Sequence, residues 1–169
     1  QDEIFRNAPM KNYQLSFSGG DEKTQYLVSG GYFDQEGVII NTGFERYSFR
    51  TNLQRNISDK LIVGANFTYA LTKGRSTSTG LQFINPGVVG AALGMNPILP
   101  VYDASREGGY TYENDRGTII GNPVAEAKEH TAVNSSSRIL GNLEARYKIL
   151  ESLEFKTSFG VDGVSSKDR

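Results

Sequence analysis

The chain has 169 residues and a formal net charge of −1, with 19 glycines, nine tyrosines, nine phenylalanines and no cysteine. The balanced charge gives no electrostatic reason to expect a nucleic-acid partner, and the lack of cysteine excludes disulfides, thiolate metal sites and cysteine catalysis. No run of about 18 apolar residues is present, which excludes a membrane-spanning helix. The mean hydropathy of −0.42 also fits a transmembrane β-barrel, because half of the strand residues in a barrel face water.

Two strands are predicted in the N-terminal part of the chain. Polar and apolar residues alternate along Lys11–Ser18, which predicts a strand, and the polar turn Gly19–Lys23 follows it. The stretch Thr24–Phe33 predicts the second strand. Its adjacent Gly30 and Gly31 predict a bulge or the close approach of a neighbouring backbone.

Residues 44–73 carry the clearest pattern, two alternating stretches on either side of a short polar turn at 57–60. Such alternation is typical of a β-hairpin, because successive strand side chains point to opposite faces. A strand of ten residues, at about 3.3 Å per residue and tilted by about 45°, spans about 24 Å along the barrel axis. This length is close to the height of the apolar band of an outer-membrane barrel. One face is predicted to meet lipid (Tyr47, Phe49, Leu53, Val63, Phe67 and Leu71) and the other an aqueous interior (Arg46, Arg50, Asn52 and Asn66).

The next 60 residues or so do not have a strand pattern throughout. Gly74–Gly80 is rich in Ser, Thr and Gly and predicts a mobile stretch, whereas Gly87–Met95 predicts one or two helical turns. Gly108–Gly117 predicts a small hairpin. Asn122 followed by Pro123 predicts a short helix through Ala127, with Asn as N-cap and proline in the first turn. Long connections of this kind are expected on one side of a membrane barrel.

Regular alternation returns in two C-terminal strands, Ser137–Tyr147 and Leu153–Asp162. In chain order the five connections between the six predicted strands are short, medium (Asp34–Gly43), short, long and short. Alternate connections of an antiparallel meander lie at the same edge of the sheet, so the three short ones lie together at one edge. The predicted fold is all-β, an antiparallel up-and-down meander of about six long strands. Because a membrane barrel needs roughly eight strands to close, the chain is predicted to be part of a large transmembrane β-barrel. The alternative is a soluble or surface-displayed β-sandwich that binds carbohydrate or protein, since its outer face would also be polar.

Several motifs resemble those of one family. The block Asn12–Leu53, with SFSGG, YLVSGGYFDQEG and RYSFRTNL in that order, resembles the start of the barrel in the SusC/RagA family of TonB-dependent outer-membrane receptors. The stretches Met95–Asp103, Asn122–Ala127 and Leu153–Asp162 are also similar to this family. The resemblance covers nearly the whole chain, but only the early barrel strands of a much longer receptor.

The resemblance also implies an organisation, a location and partners. Residues 1–10 would be the plug-to-barrel junction, 11–73 barrel strands 1–4, 74–133 a long extracellular loop, and 134–169 barrel strands 5–6. The implied protein is a multi-pass barrel of the cell outer membrane that imports oligosaccharides, or peptides, without catalysis, cofactor or metal. Its implied partners are a SusD-like surface lipoprotein, the TonB complex through parts absent from this chain, the solute and outer-membrane lipid, with no nucleic acid.

Two groups of residues are candidates for a functional role. The polar strand face is expected to line the lumen, where charges pair or steer solutes. Aromatic, amide and carboxylate residues of the long loop suit stacking on sugars or holding peptides, and the alternative is that the tyrosines pack the loop on itself. The lumen-facing candidates are Arg46, Arg50, Asn52, Arg138, Asn142 and Arg146, and the candidates for solute binding or lid contact are Asn96, Tyr102, Asp103, Tyr110, Tyr112 and Asn114.

Enzymatic chemistry has little support in the sequence. His130 is the only histidine, so a metal cluster or a histidine acid–base set has no further members. The carboxylate pairs at 21–22 and 34–36 fall in turns without a nucleophilic or basic partner. The stretch from Asp103 begins like a calcium loop, but its twelfth position is Asn114 rather than a glutamate.

Overall fold

The computed structural model describes residues 3–77, 87–111, 113–115 and 118–169, with the backbone alone for 113–115, 118 and 119. A 3₁₀ turn lies at Glu107–Gly109. In chain order the other elements are β1 (Met10–Gly20), β2 (Thr24–Glu36), β3 (Gly43–Asn56), β4 (Leu61–Thr77), α1 (Gly87–Gly94), β5 (Glu113–Asp115), β6 (Thr118–Ile120), α2 (Pro123–Glu129), β7 (Thr131–Leu150) and β8 (Leu153–Asp168). Among the described residues, no helix is both long and apolar enough to span a membrane.

The six long strands form a single antiparallel meander in the order β1-β2-β3-β4-β7-β8, which confirms the predicted fold. The short strands β5 and β6 pair only with each other, as a small hairpin. Within the described residues no second large sheet covers either face, and Leu15, Phe17 and Phe159 are 63%, 61% and 66% exposed. The β-sandwich alternative is therefore wrong, since a sandwich would bury one apolar face against a second sheet.

Several strands continue beyond the end of their alternating pattern. Residues 74–77 of the predicted mobile stretch Gly74–Gly80 belong to β4, where they pair with residues 131–134 of β7, so that prediction is wrong for them. The rest of that stretch lies outside the described residues. The ladder continues because backbone hydrogen bonds need no particular side chain, so the pairing of β4 with β7 extends beyond the polar–apolar alternation.

The glycine pair in β2 lies in unbroken register between β1 and β3, so the predicted bulge is wrong. A close neighbour is nevertheless present. A Cβ on Gly31 would lie 2.8 Å from the Ser48 hydroxyl oxygen, so the approach is by a side chain rather than by a backbone. The main sheet is irregular instead near its last turn, between Lys148 and Leu150.

The two ends of the sheet differ in their connections. The turns at 21–23, 57–60 and 151–152 lie at one end, called here the short-turn edge. The connection 37–42 and the described parts of the connection from β4 to β7 lie at the other, called the long-connection edge, as the alternation predicted. Residues 3–9 lie at the long-connection edge too, because Phe5 forms a β-bridge with Ile39. The assignment of residues 1–10 to a plug-to-barrel junction stays a prediction.

A small hydrophobic core lies at the long-connection edge and is called here the cap. Ile4, Val88, Val124 and Ala127 are at most 2% exposed, and they come from the N-terminal segment, α1 and α2. Both helices were predicted from the sequence and are confirmed, although α2 extends to Glu129. Partly buried side chains surround this core: Ile39, Ile40, Ala92, Val101 and Tyr110.

Polar contacts fasten the cap to the sheet. The Arg6 guanidinium forms an ion pair of 2.8 Å with Glu36 and donates to the carbonyl oxygens of Gly37 and Thr42 at 3.1 and 2.9 Å. Asn41 donates from its side-chain amide to the Ala127 carbonyl oxygen at 3.1 Å. The N-terminal segment and α2 are therefore both held against the β2–β3 connection.

Candidate functional site

All six lumen-facing candidates lie on the polar face of the main sheet. Directly paired residues on neighbouring strands project to the same face, so the register decides which side chains lie together. Asn52 pairs with Asn66, which pairs with Asn142, so three amides form one row across β3, β4 and β7. The same register places the remaining candidates on this face: Arg46 and Arg50 on β3, and Arg138 and Arg146 on β7.

Most charged side chains of β7 and β8 on this face form ion pairs. Arg138 is bidentate to Asp162, with N–O distances of 3.1 and 2.6 Å. The Glu144 carboxylate lies between Arg146 and Lys156, at 3.1 and 2.9 Å. Exposed pairs of this kind contribute about 0–1 kcal/mol to stability, so their main effect is to balance charge along the face.

The arginines of β3 are placed differently. The Arg46 guanidinium carbon lies 5.6 Å from the centre of the Phe33 ring, within cation–π distance. Arg50 Nε donates to the Asn52 side-chain oxygen at 3.5 Å, a long contact. Both arginines are exposed, so β3 presents two cations on the polar face.

A polar concavity of about 460 Å³ lies on this face near the short-turn edge. It brings Asn52 and Arg146 together, whereas Arg46 and Arg138 lie outside it. Amide and charged groups of this kind can hydrogen-bond a polar solute or a polar protein segment. The other polar-face residues that line the concavity are Gln25, Leu27, Gln54, Gly64, Asn66 and Glu144.

The second candidate group surrounds Tyr102 on the outer side of the cap. The Tyr102 hydroxyl donates to the Glu3 carboxylate at 2.7 Å and accepts from Lys128 Nζ at 3.3 Å. The rings of Tyr102 and Tyr110 are 5.6 Å apart and tilted by 37°. The hydrogen bond to Tyr102 raises the pKa of Lys128, and Tyr102 remains 49% exposed. We call Glu3, Tyr102, Tyr110 and Lys128 the tyrosine cluster.

The remaining loop candidates have local structural roles or are not described. Hydrogen bonds from the Ser105 hydroxyl and backbone N–H hold the pKa of Asp103 below its ordinary value, and Arg106 donates to the same carboxylate. The Asn96 side-chain oxygen accepts from the Ile98 backbone N–H at 3.2 Å in a turn. Tyr112 and the side chain of Asn114 lie outside the described residues. Asp103 and Asn96 are therefore not brought into the tyrosine cluster.

Sequence reasoning recognised Asn122 only as a helix cap, but the structure gives this side chain a second role. Its side-chain oxygen accepts from the backbone N–H groups of Val124 and Ala125, at 2.9 and 3.3 Å. Its amide nitrogen donates to the carbonyl oxygens of Val101 and Thr111, both at 2.8 Å. Asn122 thus joins α2 to the segment that carries both tyrosines. Glu3 and Lys128 were also missed, and no local sequence signal identifies them.

Metal chemistry finds no support in the described ranges. No group of three or more His, Asp or Glu side chains there could hold an ion. His130 is the C-cap of α2, and its backbone N–H donates to the Glu126 carbonyl oxygen at 3.3 Å. The pattern that begins at Asp103 forms a turn whose carboxylate accepts from Ser105 and Arg106.

Known proteins resemble this chain in sequence and in fold. No family model matches it. TonB-dependent receptor P3 of Formosa agariphila is 36% identical over 99% of the chain, which spans 17% of that receptor's length. TonB-dependent receptor SusC of Bacteroides thetaiotaomicron is 30% identical over 96% of the chain, which spans 16% of SusC.

The solved structure of the RagAB peptide transporter matches the fold. Its TM-score is 0.77 at 28% identity, and the match covers 99% of this chain and 19% of the transporter chain. These relatives are receptors and transporters rather than enzymes. Sequence and fold agree over nearly the whole chain, which is a barrel segment of the SusC/RagA family of TonB-dependent receptors.

Proposed function

We propose that the receptor containing this chain imports an oligosaccharide or a peptide through the outer membrane, with a SusD-like lipoprotein as its surface lid and energy from the TonB complex. The observation that supports this best is the two-sided character of the sheet. One face exposes Leu15, Phe17 and Phe159 to its surroundings, and the other carries ion pairs and a row of amides. A barrel wall between lipid and an aqueous lumen accounts for both faces at once.

The tyrosine cluster is the proposed solute contact of this segment. Its half-exposed aromatic ring offers a stacking surface, while Lys128 and Glu3 offer a cation and a carboxylate within reach of the same hydroxyl. An aromatic surface suits a sugar ring or an aromatic peptide side chain, and the two charges suit a peptide. Likeness to a peptide transporter favours the peptide, and the oligosaccharide that the family resemblance implies is the second candidate.

Replacing Tyr102 by Ala in the full-length receptor is expected to lower uptake roughly tenfold, because an aromatic contact and its hydrogen bonds contribute about 1–2 kcal/mol. Uptake of a labelled peptide digest and of a labelled oligosaccharide digest measures the loss and distinguishes the two solutes. Tyr102→Phe keeps the ring without the hydroxyl, and Lys148→Ala, at the short-turn edge, is the matched control. Normal uptake of both digests by a correctly displayed Tyr102→Ala receptor would rule out this contact.

The proposed lid contact lies on the outer surface of the cap. Leu93 at the end of α1 and Ile98 in the following turn are 76% and 83% exposed, at the long-connection edge. These two exposed apolar side chains, five positions apart, are the proposed contact surface for the lid. That edge is the proposed extracellular side, because membrane barrels carry their long loops outside and their short turns in the periplasm.

The double variant Leu93→Glu and Ile98→Glu is expected to reduce the amount of lipoprotein that co-purifies with the receptor at least about tenfold, because two carboxylates would be desolvated in the contact. Ile57→Glu is the control, since Ile57 is 53% exposed in a turn at the opposite edge. Unchanged co-purification of the double variant, or an equal loss with Ile57→Glu, would contradict a lid contact here. Uptake by the Tyr102 variants tests the solute contact separately.

A further inference from the structure

A hollow interrupts the apolar face of the main sheet near the short-turn edge. On that face one row of paired residues runs from Arg55 on β3 through Val63 and Ala145 to Thr157 on β8. With Ala65, the small side chains of this row line a cavity of about 370 Å³. The large side chains of the next row form one wall: Leu53, Leu143 and Phe159.

A second row of large side chains follows beyond the hollow, toward the short turns, without lining it. Leu61 pairs with Tyr147, which pairs with Phe155, and this row lies between the hollow and the short turns. The site rests on the proposed barrel, in which this face meets lipid, so the surrounding medium there would be hydrocarbon. Glu144 and Ser158 also line the cavity but belong by register to the opposite face, so Thr157 is the one polar side chain of the lining on this face. Water would find few hydrogen-bond partners there, so the natural occupant is an acyl chain.

A cation stands at the end of the same row. Arg55 is exposed, is the residue before the last one of β3, and projects to the apolar face beside Val63. The Asp21 carboxylate attracts Arg55 electrostatically. Its hydrogen bonds come from the backbone N–H groups of Lys23 and Thr24, at 2.8 and 2.6 Å. A guanidinium at the boundary of an apolar band matches the charge and planar geometry of a lipid phosphate.

We propose that this hollow is a binding site for one phospholipid, whose acyl chain lies over Val63, Ala65 and Ala145 and whose phosphate lies beside Arg55. The site belongs to the outer wall of the receptor barrel. It is independent of the solute and of the lid, and it is distinct from the polar concavity on the opposite face.

Native mass spectrometry of the full-length receptor, extracted in mild detergent and supplied with phosphatidylglycerol, tests this proposal. Ala145→Phe fills the hollow and is expected to lower phospholipid retention on the order of tenfold, since losing about two buried methylene groups changes affinity by about that factor. Arg55→Gln is expected to weaken retention of phosphatidylglycerol but not of diacylglycerol, which has no phosphate. Thr51→Leu enlarges a side chain on the same face outside the hollow and is expected to change neither.

Unchanged retention in Ala145→Phe, or an equal loss in Thr51→Leu, would overturn the site. An equal effect of Arg55→Gln on both lipids would overturn the phosphate contact. Assembly is checked by the heat-dependent gel migration of folded barrels. If Ala145→Phe does not assemble, Ala145→Val replaces it, with a smaller loss expected in the same direction. Solute uptake is expected to be normal in all these variants, so a failure of the transport proposal would be seen separately.

Discussion

Phe67→Arg in the full-length receptor is expected to destabilise the assembled barrel by about 2–4 kcal/mol, the cost of an arginine on the lipid face at the bilayer midplane. Phe67 lies on the apolar face of β4 between the rows of Tyr47 and Tyr147, whose phenol groups suit the two membrane boundaries. Its ring is 6.3 Å from that of Phe49. The variant therefore loses an aromatic contact and places a cation in hydrocarbon.

Unfolding of the receptor by denaturant in lipid vesicles measures this free energy. Thr68→Arg is the matched control, because Thr68 is the next residue of the same strand and projects to the polar face opposite Arg50. A change of about 1 kcal/mol or less is expected there, because the cation stays in a polar environment. Equal losses in the two variants would mean that the faces of β4 are assigned incorrectly.

Asn122→Ala is expected to lower the free energy of local unfolding of the cap by about 2–4 kcal/mol. Asn122 is 4% exposed, and its loss leaves the buried Thr111 carbonyl oxygen without this donor, whereas the Val101 carbonyl oxygen keeps its hydrogen bond from the Thr111 backbone N–H. It also removes the N-cap of α2. The cost therefore combines a lost cap with the loss of one hydrogen bond to a buried carbonyl oxygen.

Hydrogen exchange detected by mass spectrometry measures this change in the peptides that contain α2 and residues 101–111. Asn122→Ser is the matched variant, since a serine caps the helix but does not reach both carbonyl groups, so about half of the effect is expected. Exchange in β2 and β3 is expected to stay as in the wild type. Full protection of α2 in Asn122→Ala would show that the apolar core alone holds the cap together.

Local patterns in the sequence are enough to predict the two faces of the strands and the positions of the tight turns. Alternation has a period of two residues, which is a local property, so the side of the sheet that Phe49 and Arg50 occupy can be predicted without their neighbours. Short turns such as Ile57–Lys60 are equally local. The start of α2 is predictable for the same reason, since Asn122 and Pro123 act on the first turn of their own helix.

Contacts between residues that are distant in the chain depend on how the strands and the cap pack together. Tyr102 and Glu3 are 99 positions apart, and the cap core joins three separate segments, so no local pattern identifies either. The Arg138–Asp162 pair and the hollow at Ala145 likewise depend on the register between strands. The end of β4 at Thr77 depends on its pairing with β7, because a backbone ladder extends as far as its partner strand does and carries no side-chain signal.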